Sequence, residues 1–151
     1  MSLPKKELLL LVEDSDDHAE LAEFYINDYD SNIYVDRLHD GAEAMSYLES
    51  VETVGQALPW LVLLDLKVPK YNGHEILARI KTSPQLARIP VIIFSTSSST
   101  KDIMQALEGH ANSYIVKPME VDRYGEEISE ILRYWELDRH HLLQDMSASN
   151  V

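Results

Sequence analysis

Four short apolar runs in this chain each end on a residue able to hold a cation or an anion. The run at 8–12 leads into Glu13 and Asp14, that at 60–64 into Asp65, that at 91–94 into Ser95, and that at 114–116 into Lys117. Carboxylates drawn together repel one another, and a hard cation taking oxygen ligands relieves that repulsion. Mg²⁺ suits Glu13, Asp14 and Asp65 because it keeps waters, uses one or two carboxylates and accepts phosphate oxygens. Lys117 and Ser95 then face an anion added to Asp65, one as a point charge and the other as a hydroxyl donor. Carboxylate nucleophile, metal, lysine and hydroxyl together describe phosphoryl transfer onto an aspartate. Taken singly, each residue has an ordinary explanation. Residues 13–17 suit a capped, solvated turn, Asp65 suits a loop start, and Lys117 before Pro118 suits the surface. The force of the reading lies in their shared position at the ends of apolar runs.

That position calls for a sheet. Runs this short, apolar throughout and bounded by polar residues or proline, are the pattern of strands buried on both faces. The stretch at 32–38 is more polar and reads as an edge strand. Helical spacing alternates with the runs. It covers 16–28 (Leu21, Phe24, Tyr25, with Asp16 or Asp17 as cap), 41–50 (Ala44, Met45, Leu48), 72–82 (Ile76, Leu77, Ile80), 100–110 (Ile103, Met104, Leu107) and 120–135 (Tyr124, Ile128, Ile131, Trp135). Five strand–helix pairs predict an α/β fold, a doubly wound parallel sheet with right-handed crossovers. Ligands of such sheets bind beyond the carboxyl ends of the strands, where strand order reverses. In the order 2-1-3-4-5, the first and third strands are neighbours, and Asp14 and Asp65 converge with Glu13 close by.

The chain has 151 residues, with 26 acidic against 13 basic side chains and a formal net charge of -13. The length suits one domain, expected at residues 5–137, followed by a C-terminal extension at 138–151 that is partly helical and frayed from Asp145. So acidic a surface repels phosphate backbones and anionic lipids, which argues against nucleic-acid and membrane partners. The absence of cysteine excludes disulfides and thiolate chemistry and is compatible with a cytoplasmic location. The N-terminus before Glu7 is polar and basic, and the run at 8–12 is too short for a signal peptide or membrane span.

At these residues the chain resembles the receiver domain of two-component response regulators, over roughly residues 7–135. The matching pieces are Leu9 to Asp16, Asp40-Gly41-Ala42-Glu43-Ala44, Leu63 to Pro69 with Gly73 beyond, Pro90 to Ser95, and Lys117-Pro118. The separations, 30 residues from Asp65 to Ser95 and 22 from Ser95 to Lys117, are those the family uses. The resemblance implies a flavodoxin-like fold and a phospho-accepting Asp65 supplied by a sensor histidine kinase. It implies Asp14 as a direct metal ligand alongside Asp65, Glu13 as a ligand through water, and the backbone carbonyl of Lys67 as a further ligand. Ser95 and Lys117 match the phosphoryl-binding pair, Tyr114 the switch aromatic, and Lys117-Pro118 a peptide bond usually cis. Thr96, where many receivers carry Ala or Gly, narrows the path of an attacking water. On phosphorylation, the surface of helix four, strand five and helix five changes by a shift of populations.

A narrower similarity is to stand-alone regulators that partner phytochrome kinases, carried by Asp65 to Lys70, Ile80-Lys81, Arg88 to Pro90, Ser95-Thr96-Ser97 and Tyr134 to Leu137. In those relatives a C-terminal extension helps dimerisation. Trp135, Leu137, Leu142 and Leu143 offer a stripe for a homodimer, and serve equally as core or as an amphipathic end. The 16 residues after Trp135 are too few for an output domain. The expectation is therefore a switch with only self-directed chemistry, and the alternative is a phosphorelay intermediate that hands its phosphoryl group to a histidine phosphotransfer protein. A scaffold without phosphorylation is disfavoured by the full set of site residues. An EF-hand fails because Ala19 and Tyr25 stand where its Gly and Glu belong. A haloacid-type phosphatase fails because Lys67 stands where its second acid belongs. The histidines are scattered and suggest no site of their own.

Overall fold

The runs at 8–12, 60–64 and 91–94 become strands because nearly every side chain in them has an apolar layer to enter. The strands at Ile33–Leu38 and Ser113–Val116 lie at the sheet edges and are only partly buried. A computed structural model describes residues 7–149, with side chains through Glu136. In chain order the elements are β1 (Glu7–Val12), α1 (Asp16–Tyr29), β2 (Ile33–Leu38), α2 (Gly41–Thr53), β3 (Leu61–Leu64), α3 (Gly73–Lys81), β4 (Val91–Ser95), α4 (Thr100–Glu108), β5 (Ser113–Val116) and α5 (Val121–Ser149). All strand pairs are parallel and the order is β2-β1-β3-β4-β5. Consecutive strand residues point to opposite faces, so a continuous apolar run feeds two cores. Leu10, Val12, Val62, Leu64, Val91 and Ile93 pack with α2 and α3. Leu9, Leu11, Leu61, Leu63, Ile92 and Phe94 pack with α1 and α5. Each fully buried Leu or Ile contributes about 1.5–3 kcal/mol before conformational entropy is subtracted.

Local details depart from the sequence expectations. Ser15, not Asp16 or Asp17, caps α1, its Oγ accepting the His18 N–H, while the two acids sit in the first turn where the helix dipole favours them. The buried face of α1 is Ala19, Ala22 and Ile26, and Phe24 of the expected stripe is 63% exposed. The helical period is right, but its phase is set by small residues that let α1 approach the sheet and α5. On α4 only Ala106 is buried, and Met104 and Leu107 are half exposed. The stripe on α5 is as expected for Tyr124, Ile128 and Ile131, with Leu132 added and Trp135 partly buried. Helix α5 continues through Ser149, so residues 145–149, expected to fray, are helical. The N-terminus before Glu7, the side chains of Leu137, Leu142 and Leu143, and residues 150–151 lie outside the described residues.

Candidate functional site

The site forms where β1 and β3, adjacent in the sheet, release the chain at the same edge. The backbone of Glu13 is held on both sides: its N–H donates to Leu38 O at 3.0 Å, and the Arg37 side chain donates from Nε to its carbonyl at 3.0 Å. Its carboxylate accepts the Ser15 N–H at 3.2 Å, which turns the side chain inward while Asp14 stays exposed. Asp65 follows β3, its N–H donating to Val12 O at 3.1 Å. The N–H of Lys67 donates to Asp65 Oδ1 at 3.3 Å. Carboxylate oxygens of Glu13, Asp14 and Asp65 all lie within 4.8 Å of one another. The Lys67 side chain is exposed.

Lys117 neutralises part of this charge. Its N–H donates to Ser95 O at 2.7 Å, anchoring β5 to β4. Its Nζ donates to Glu13 Oε1 and, at 3.0 Å, to Asp65 Oδ2. Lys117 and Glu13 side chains are 3% and 4% exposed, and that of Asp65 is 12% exposed. Burial pushes the Glu13 carboxyl above its usual range, and the hydrogen bond and charge of Lys117 pull it back. The Phe94 ring lies beneath the ammonium, 5.9 Å from its centroid.

Ser95, fully buried at the end of β4, accepts the Ser97 N–H at 3.2 Å. Thr96 is exposed and lines a cavity with His18, Lys117, Met119 and Tyr124. Tyr114 is turned toward the loop after β4, its hydroxyl donating to Ser97 O at 2.8 Å. Burial raises the Tyr114 hydroxyl above its ordinary pKa. Ser97 Oγ donates to Asp102 at 2.6 Å, and His74 Nε2 lies 3.1 Å from the same carboxylate.

The structure therefore brings Glu13, Asp14, Asp65 and Lys117 together, with Ser95 at the end of β4, Thr96 on the loop that follows and Tyr114 on the neighbouring β5. One expectation is corrected. No cis peptide bond occurs among the described residues, and Lys117-Pro118 is trans. The trans form of an X–Pro bond is favoured by about 0.5–1 kcal/mol, and Lys117 reaches Ser95, Glu13 and Asp65 without the cis turn. Sequence reasoning missed His18, whose Nδ1 lies 3.2 Å from Lys117 Nζ, and the Arg37 clamp on Glu13. The only signal for His18 is its place one helical turn beyond Asp14. For Arg37 there is none, since its partner comes from a neighbouring strand.

The donor set fits a hard divalent cation: three clustered carboxylates, one of them exposed, and no soft ligand. A parallel sheet of this order, with acids after β1 and β3, a hydroxyl ending β4 and a buried lysine after β5, defines an aspartate-centred α/β domain. Residues 9–129 match the model of the response regulator receiver domain, and the chain belongs to that family. It is 40% identical over 128 residues to a probable methanogenesis regulatory protein, FilR2, of Methanothrix harundinacea, covering 85% of this chain and 83% of that one. It is 34% identical over 130 residues to the response regulator Rcp1 of Synechocystis, covering 85% and 88%. Among solved structures, the phosphorylated cyanobacterial phytochrome response regulator RcpA superposes with a TM-score of 0.80 at 35% identity, covering 85% of this chain and 93% of that one. The Mn²⁺-bound form of Rcp1 gives 0.79 at 34% identity, covering 85% and 94%.

Proposed function

We propose that the protein is a phosphorylation-driven switch whose Asp65 accepts a phosphoryl group from a sensor histidine kinase. The observation that carries this reading is the convergence of Glu13, Asp14 and Asp65 with the buried Lys117 ammonium at one sheet edge. An Asp65 oxygen forms the new bond to phosphorus as the N–P bond of the kinase phosphohistidine breaks, and the electron pair of that bond stays on the imidazole nitrogen. Asp14, Asp65 and the Lys67 carbonyl would hold Mg²⁺, with Glu13 acting through water, and the bound ion would supply charge compensation for the phosphoryl oxygens. Lys117 contributes a positive charge and Ser95 a hydroxyl donor to the same oxygens. Both act from fixed backbone, since Lys117 N–H is bonded to Ser95 O.

The readout is the surface of α4, β5 and α5. Drawing Ser95 toward the phosphoryl group moves the loop that carries Ser97, and with it the acceptor of the Tyr114 hydroxyl. Met104, Leu107, Val116 and Val121 are exposed on these elements, apolar side chains that a protein partner could cover. The phytochrome regulators among the similar structures support a phytochrome-type kinase as the donor. No described helix is long and apolar enough to cross a membrane, which agrees with work in the cytoplasm. The test is incubation with acetyl phosphate and Mg²⁺, read by intact mass, beside Asp65→Asn. A phosphoryl adduct on the wild type and none on the variant is the expected result. An unlabelled wild type, or a labelled variant, overturns the assignment.

A further inference from the structure

Every N–H of the Lys117 ammonium has an acceptor, and one of these acceptors belongs to no role described so far. Two are the carboxylates of Glu13 and Asp65, and the third is His18 Nδ1 at 3.2 Å. A lysine ammonium can only donate, so in this contact Nδ1 is the acceptor. The residue that presents this ring is held from two helices. The His18 N–H donates to the Ser15 cap at 3.3 Å, and the His18 carbonyl accepts the Tyr124 hydroxyl of α5 at 3.3 Å. The side chain is 43% exposed and lines the cavity that also contains Thr96 and Lys117.

We propose that His18 is a positioning residue for phosphoryl transfer, holding the Lys117 ammonium toward Asp65 while its other acceptors are altered by the reaction. A cation competes for the Glu13 carboxylate, and phosphorylation converts one Asp65 oxygen into an acyl phosphate oxygen. His18 Nδ1 is the acceptor that neither event uses. Lysine has a long flexible stem whose ordering is entropically costly, so an acceptor that persists through the reaction keeps the charge in place. The inference rests on Asp65 being the phosphoryl acceptor.

The experiment compares wild type, His18→Ala and His18→Asn, the amide oxygen of Asn being able to stand where Nδ1 stands. Three quantities are read: binding of beryllium fluoride, a phosphoryl mimic, in Mg²⁺; binding of Mg²⁺ alone; and the rate of labelling by acetyl phosphate. His18→Ala is expected to weaken beryllium fluoride binding and slow labelling by about tenfold, the size of one lost hydrogen bond to a charged group. Its Mg²⁺ affinity stays near that of the wild type, and His18→Asn recovers most of the loss. The proposal is overturned if His18→Ala matches the wild type, if His18→Asn is as impaired as His18→Ala, or if Mg²⁺ affinity accounts for the whole effect. A wild type that neither binds beryllium fluoride nor takes up phosphate overturns the Asp65 assignment instead, so the two failures are distinct.

Discussion

Lys117 Nζ stands 3.0 Å from Asp65 Oδ2 with almost no exposure to solvent, placing a fixed positive charge inside an acidic cluster that also suits a cation. The ammonium and a divalent ion bound there would therefore do overlapping electrostatic work. Removing the lysine leaves buried carboxylates without their counter-charge, which costs about 3 kcal/mol when one partner of a buried pair is deleted. For a chain of this length that is a fall of roughly 10 °C in thermal midpoint.

Lys117→Met is expected to show this loss in metal-free buffer. It should regain much of the loss in millimolar Mg²⁺, while the wild type gains less from the same addition. Thermal unfolding with and without Mg²⁺ measures both. Equal stabilisation of the two proteins by Mg²⁺ would show that lysine and cation do not share the cluster's charge.

Gly73 opens α3 directly against the loop that carries Asp65. A Cβ at this position would lie 2.5 Å from the Asp65 carbonyl oxygen and 2.7 Å from Leu66 Cα, and the Gly73 N–H donates to Leu66 O at 2.9 Å. Backbone cannot swing aside as a side chain can, so Gly73→Ala must displace the Asp65 loop. The expected cost is about 1–3 kcal/mol, as for other overpacked positions, together with weaker Mg²⁺ binding. Gly125→Ala is the matched control, because its Cβ meets the Tyr25 ring instead of the Asp65 loop. It should lose stability and keep its Mg²⁺ affinity. Equal metal affinity in both variants would separate Gly73 from the site.

Much of this arrangement was legible in the chain itself. Uniformly apolar runs that end in Glu13-Asp14, Asp65, Ser95 and Lys117 specify a two-faced parallel sheet and the edge where its ligands gather. The errors came where tertiary packing, rather than local pattern, decides. The phase of α1 follows the small Ala19 and Ala22 instead of the larger Phe24, because close approach to the sheet needs small side chains. Met104 and Leu107 have helical spacing yet stay half exposed, since α4 rests on the sheet edge through Ala106. Arg37 and His18 act through partners distant in the chain, Glu13 and Lys117, and no periodicity marks such pairs. The Ser15 cap was hidden by the stronger acidic signal of the two residues after it.

Thr96 lines a cavity with Lys117, and under the proposed function it stands on the path of water toward a phosphoryl group on Asp65. Thr96→Ala removes a methyl and a hydroxyl from that approach. The variant is expected to lose its phosphoryl group several-fold faster than the wild type, with the labelling rate changed less, because water access limits hydrolysis alone. Loss of the adduct followed by intact mass after removal of acetyl phosphate measures this. Equal lifetimes would remove Thr96 from the control of hydrolysis.

Asp102 ties the loop after β4 to α3. It accepts the Ser97 hydroxyl at 2.6 Å and lies 3.1 Å from His74 Nε2, while the Ser97 carbonyl accepts the Tyr114 hydroxyl. The Ser97 hydrogen bond first, and His74 second, hold the Asp102 carboxyl below the usual carboxylate range. A carboxyl depressed in the folded state stabilises it above the ordinary pKa of 3.8 and loses that contribution as pH falls through the folded value. Asp102→Asn should therefore be less stable than the wild type by about 1 kcal/mol at neutral pH, the net scale of one hydrogen bond at a site partly open to solvent. The gap should narrow only below pH 4, as the wild-type carboxyl protonates. Urea unfolding of both proteins at several pH values between 3 and 7 follows the gap, and a constant difference would contradict the assignment. Because the same carboxylate steadies Ser97, the variant should also free the Tyr114 hydroxyl from its acceptor. Unphosphorylated Asp102→Asn is then expected to show Tyr114 ring resonances displaced toward those of the phosphorylated wild type. Resonances unchanged from the unphosphorylated wild type would confine Asp102 to a stabilising role.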